Sequence, residues 1–177
     1  MSANIILTGI MGCGKTSVGK AISKVLKDYT FVDVDDVIVD IEGMSITEIF
    51  EKKSEKYFRE LEEKIIEELS EEEDLIISLG GGAFESEVNR KNLSENGTVF
   101  YLKASIDTLF ERIKDDTSRP LLKCDNPRGK LKELLEKRES NYLKADYIIE
   151  TDGLKVADII EKIINIIETS EKWKMES

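Results

Sequence analysis

Five short apolar runs recur along the chain: Ile5 to Thr8, Thr30 to Val34, Leu75 to Leu79, Thr98 to Leu102 and Tyr147 to Glu150. Their length and apolar character suit buried strands. Between them, apolar residues return at three- and four-residue steps, the period of a helix face. Val18, Ile22, Val25 and Leu26 mark one such face, and Phe58, Leu61, Ile65 and Leu69 a second. Leu131, Leu134, Leu135 and Tyr142 mark a third, and Val156, Ile159, Ile160, Ile163 and Ile167 a last. Strands that alternate with helices imply crossover connections, and so an α/β fold with a parallel sheet sandwiched by helices. No repeat or long linker interrupts the series. One domain is expected over residues 1–169, with 170–177 a frayed tail whose Trp173 has no assigned role.

One segment breaks the pattern. "DDTSRPLLKCDNPRGK", Asp115 to Lys130, holds both prolines of the chain and is too polar for core. A polar run of this length is either a surface loop or a lid. Two leucines and Arg119 beside Pro120 favour the lid, placed at about 115–130.

Composition narrows the chemistry. The 177 residues are 40% hydrophobic and 36% charged, with a formal net charge of −11. Such acidity argues against a nucleic-acid or anionic-membrane surface. No apolar run reaches the length of a membrane span and no leader pattern opens the chain, so a cytoplasmic protein is expected. The two cysteines, Cys13 and Cys124, suit a reducing compartment, and histidine is absent. Any acid–base chemistry therefore falls to carboxylates or lysines.

After the first strand comes "GIMGCGKT", which fits G-x-x-x-x-G-K-[ST] through Gly9, Gly14, Lys15 and Thr16. Glycines let the backbone curl so that its N–H groups face phosphate oxygens, and the following helix adds its positive end. Lys15 can reach β- and γ-phosphates, and the Thr16 hydroxyl can ligate Mg²⁺. Cys13 reads as a small filler inside the loop.

The second strand runs out in "FVDVDD". Strand alternation puts Asp33 and Asp35 on one side, at the edge where open α/β sheets bind ligands. One carboxylate can orient Mg²⁺ while the other accepts a hydroxyl proton; alternatively the three aspartates cap the next helix. The third strand ends in Gly80, Gly81 and Gly82, where many phosphate-loop proteins carry a metal-binding aspartate. Those glycines either bring backbone close to a ligand or simply form a turn. Arg138 lies on an apolar stripe and needs a partner there. Arg59 either serves the site or makes a surface pair with Glu62. Arg119 could swing onto a transferring phosphate.

Taken in order, "GIMGCGKT", "FVDVDD", "FRELEE", "SLGGGA", "RPLL" and "KRESNY" resemble the shikimate kinase family over almost the whole length. That resemblance implies a three-layer α/β/α phosphate-loop kinase with a five-stranded parallel sheet in the order 2-3-1-4-5 and a mobile lid. It implies ATP and shikimate as substrates, Mg²⁺ as cofactor, phosphorylation of the shikimate 3-hydroxyl on the route to chorismate, and a monomer. Gly12, Cys13, Gly14, Lys15, Thr16 and Ser17 would cradle ATP phosphates, with Thr16 and Asp33 on the metal. Asp35 would be the base, and Lys15 and Arg119 the cations at the transferring group. Arg59 and Arg138 would hold the shikimate carboxylate, and Gly80, Gly81 and Gly82 would line its site. Arg112 and Asp152 would flank adenine. A gluconate or nucleoside-monophosphate kinase, or a nucleotide-dependent switch, are the rival readings.

Overall fold

A computed structural model describes residues 3–115 and 124–170. Its strands are β1 (Asn4–Thr8), β2 (Thr30–Asp33), β3 (Leu75–Ser78), β4 (Gly97–Lys103) and β5 (Tyr147–Glu150). All pair in parallel, in the order β2-β3-β1-β4-β5. The central strand is buried along its whole length, with Ile5 opposite both Ile76 and Thr98. A strand with neighbours on both sides and helices on both faces has no solvent side, which is why it reads as an unbroken apolar run. Its one strongly polar member is satisfied: Asn4 donates to the Glu72 carbonyl at 2.7 Å and accepts from the Leu75 N–H at 2.9 Å.

The helices are α1 (Lys15–Val25), α2 (Val34–Glu42), α3 (Ile46–Lys52), α4 (Glu55–Glu71), α5 (Glu87–Asn96), α6 (Ile106–Ile113), α7 (Pro127–Tyr142) and α8 (Val156–Thr169), with a 3₁₀ turn at Ala83–Glu85. Ser54, Ser86, Ser105 and Asn126 each accept a hydrogen bond from a first-turn N–H, and Pro127 follows Asn126 at a position where its missing donor costs nothing. Among the described residues no helix is long and apolar enough to cross a membrane.

The structure revises several expectations. The second strand stops at Asp33, and Val34 already opens α2, because the Asp33 carboxylate accepts the Asp35 N–H and caps that helix. Val25 and Val156 are exposed rather than buried on their helices' inner faces. In α4 the buried stripe is turned by about one position: Phe58, Glu62, Ile65, Ile66 and Ser70 are buried, while Leu61 and Leu69 are half-buried. Of the segment read as a lid, residues 127–130 form the first turn of α7. Residues 116–123, with Arg119, lie outside the described residues, as does Trp173.

Candidate active site

The loop from β1 to α1 turns back over the C-terminal edge of the sheet. Gly14 holds a left-handed conformation at φ 101° and stands at the N-cap of α1 without a side chain to cap it. The first amides of that helix therefore remain available to an anion. Lys15 extends along the loop, donating to the Gly9 carbonyl at 2.7 Å and to Ile10 at 3.3 Å. Thr16 Oγ1 donates to Asp33 Oδ2 at 2.8 Å. Asp33 thus uses one oxygen to cap α2 and the other to meet the start of α1.

These groups line an open cavity of about 420 Å³, together with Met11, Gly12, Ser17, Asp35, Gly81 and Arg112. Arg112, in the last turn of α6, donates to the carbonyls of Gly12 at 3.3 Å and Cys13 at 3.4 Å, which stations a cation beside the loop. The Cys13 side chain is buried, as a filler would be. Asp152 is not among the residues that line this cavity. Its carboxylate receives the Ser105 N–H at 3.0 and 3.1 Å, and the hydroxyl of Thr108 beside it, then Ser105, hold its pKa low. Asp152 thereby ties the end of β5 to the start of the helix that carries Arg112.

A second cavity of about 250 Å³ adjoins the first and shares Met11, Asp35 and Gly81 with it. Its apolar wall comes from Ile46 and Phe50 on α3 and Phe58 on α4; its polar side from Arg59, Glu62, Gly80, Gly82 and Arg138. Arg59 Nη1 meets Glu62 Oε2 at 2.7 Å, and the Glu62 side chain is only 2% exposed. The pair is therefore an internal clamp and not the surface ion pair that was the alternative reading. Arg138 Nε lies 2.8 Å from Glu85 Oε2 but is not aligned to hydrogen-bond with it, so this buried cation keeps capacity for another anion.

Two of the three glycines have a steric explanation. None of the three needs a left-handed backbone. At Gly80 and Gly82 the use is clearance, whereas a Cβ on Gly81 would meet nothing closer than 3.6 Å. A Cβ on Gly80 would stand 2.7 Å from Asp35 Oδ1 and 3.0 Å from Glu62 Oε1. One on Gly82 would stand 2.5 Å from Arg59 Nη2. Any side chain at either position would push functional groups aside.

Burial raises the pKa of Asp35, and the charge of Asp33 raises it further, while Lys15 and Arg59 pull it back. Burial likewise raises Glu62 against the pull of Arg59. A carboxylate made more basic at the meeting point of two cavities is suited to receive a proton. The site also fits Mg²⁺. Thr16 and Asp33 present hard oxygen donors side by side, and Mg²⁺ takes few protein ligands, completing its shell with water and phosphate. A dedicated cage of three or more His, Cys, Asp or Glu is absent among the described residues.

Of the residues singled out from sequence, Gly12, Gly14, Lys15, Thr16, Ser17, Asp33, Asp35, Gly81 and Arg112 come together in the first cavity, and Asp35, Arg59, Gly80, Gly81, Gly82 and Arg138 in the second. Sequence reasoning missed Glu62, Glu85 and the apolar wall. Glu62 did carry a signal: it follows Phe58 by four residues and precedes Ile65 by three, the same charge-on-a-stripe pattern that marked Arg138.

Comparison with known proteins agrees with this geometry. The family model described as shikimate kinase matches residues 11–168. The shikimate kinase of Thermodesulfovibrio yellowstonii is 47% identical over 171 residues, covering 97% of this chain and 98% of that protein. The structure of shikimate kinase from Acinetobacter baumannii in complex with shikimate superposes with a TM-score of 0.90 at 37% identity, covering 97% of this chain and 96% of that one. A gluconokinase from Sinorhizobium meliloti, at 20% identity and a TM-score of 0.64 over 99% of this chain and 97% of that one, shares the fold alone. The chain belongs to the shikimate kinase family.

Proposed function

We propose that this protein transfers the γ-phosphoryl group of ATP to the 3-hydroxyl of shikimate, giving shikimate 3-phosphate and ADP on the route to chorismate. The observation that carries this reading is the pair of cavities that meet at Asp35 and Gly81. The larger one has the helix N-terminus, Lys15 and Arg112 that a nucleotide triphosphate needs. The smaller one sets two arginines against an apolar wall, which fits a compact carboxylate whose ring lies on Phe50 and Phe58.

In this reading the shikimate carboxylate pairs with Arg59 and Arg138, and Glu62 holds Arg59 in place. That anchoring turns the 3-hydroxyl toward Asp35 at the mouth of the phosphate cavity. Asp35 accepts the hydroxyl proton as the oxygen attacks the γ-phosphorus in line, and the bond to the ADP oxygen breaks. The loop amides and Lys15 hold the phosphates and offset their charge. Thr16 and Asp33 would hold Mg²⁺, which when bound neutralises β- and γ-phosphate oxygens. Arg119 is assigned the role of a further cation on the transferring group. Both cavities are built from one chain, which fits a monomer, and the scarcity of cysteine fits a cytoplasmic enzyme.

ADP release from MgATP tests the reading, with shikimate, gluconate or no acceptor present. Turnover that depends on shikimate is expected. Equal turnover with gluconate, or none with either acceptor, would overturn it.

A further inference from the structure

Tyr142, the last residue of α7, is fully buried and lines neither cavity. Its hydroxyl donates to the Gly81 carbonyl. The ring is tilted against Tyr101 of β4 with centroids 5.0 Å apart, so the phenol is held from below by the sheet. Arg138 stands one helical turn earlier on the same helix. A carbonyl oxygen only accepts, so the phenol proton points at Gly81. Arg138 Nη1 also lies 3.6 Å from where a Cβ of Gly81 would be.

The geometry of one peptide unit gives this contact its consequence. The Gly81 carbonyl and the Gly82 N–H belong to the same trans peptide and point in opposite directions. With the carbonyl drawn to Tyr142, the N–H points away from it, and both Gly81 and Gly82 line the acceptor cavity. Among the described residues no protein group accepts a hydrogen bond from the Gly82 N–H. Glycine is the residue least able to hold such a plane unaided, because it populates more of backbone space than any other.

We propose that Tyr142 is a positioning residue for the acceptor: its hydroxyl fixes the Gly81–Gly82 peptide so that the Gly82 N–H joins Arg59 and Arg138 in a cradle for the acceptor's carboxylate. The proposal rests on the reading of that cavity as the acceptor site. Tyr142 touches no substrate; it acts through the peptide.

Tyr142→Phe keeps the ring and removes only the hydroxyl. The expected result is a rise of about tenfold in the KM for shikimate, the size of one lost hydrogen bond to a charged group, with the KM for ATP within about twofold. A purely structural role would lower Tm and the amount of active enzyme while leaving both KM values in place, and that result overturns the proposal. Should Tyr142→Phe fail to fold, the wild-type protein decides: in isotope-labelled protein the Gly82 amide resonance must move when shikimate is added. A stationary Gly82 resonance beside moving neighbours overturns the proposal. Wild-type enzyme without shikimate-dependent turnover would instead mark a failure of the functional reading.

Discussion

The phosphate cavity and the acceptor cavity share Asp35 and Gly81 yet are built in opposite ways. The first takes nearly half of its lining from one contiguous stretch, Met11 to Ser17, which offers backbone amides, a helix end and Lys15. The second is assembled from six elements or junctions: the loop after β1 at Met11, the start of α2, α3, α4, the glycines after β3, and α7. Its charged working groups are side chains, and two of them stand beside a carboxylate, Arg59 at Glu62 and Arg138 at Glu85. A backbone cradle binds what many kinases share. A side-chain cradle can be re-specified residue by residue, and so it decides the acceptor.

That contrast predicts how substitutions divide. The largest effect is expected where the cavities meet. Asp35→Asn should lower kcat by about 10²- to 10⁴-fold, the usual range for a lost general base, with the Kd for ATP nearly unchanged by calorimetry. Near-normal turnover would separate the two cavities chemically and remove Asp35 from the reaction.

Next comes a change confined to the acceptor side. Arg138→Leu fits the apolar stripe of α7 but removes one of the two cations. The KM for shikimate should rise about ten- to hundredfold, as for a lost charged hydrogen bond, while the KM for ATP stays put. Equal changes in both KM values would mean that the two cavities are not separable.

The smallest effect is electrostatic and crosses the junction. Burial and Asp33 both raise the pKa of Asp35, and Asp35 must be ionised to accept a proton. The acid limb of kcat/KM for shikimate should therefore lie above the ordinary carboxylate range. It is read from a pH–rate profile of the wild-type enzyme at saturating MgATP. A limb inside the ordinary carboxylate range would assign it to another group.

The same contrast explains what was legible in the sequence. Contiguous features could be read directly. "GIMGCGKT" needs only its own spacing, and the alternation of apolar runs with helical stripes was enough for the sheet and its helices. Dispersed features were legible only where a charge sat on an apolar stripe, as with Arg138. The same rule finds Glu62, four residues after Phe58 and three before Ile65, but its three-residue spacing from Arg59 also fits a surface pair. Asp33 and Asp35 were paired for a reason that did not hold. Strand alternation was expected to align them, whereas Asp33 ends β2 and Asp35 stands in the first turn of α2. They face the same cavity because that turn sits at the sheet edge. The apolar wall of Phe50 and Phe58 had no local signal, since aromatic residues on a helix stripe look alike whether they fill a core or line a site.

The most direct test of the central claim, that the two cavities form one transfer path meeting at Asp35, is phosphorus NMR of the products formed from MgATP and shikimate. A single phosphomonoester coupled to the ring proton at carbon 3, in amounts equal to ADP, is the predicted result. Inorganic phosphate in place of that ester, or an ester at another hydroxyl, would contradict it.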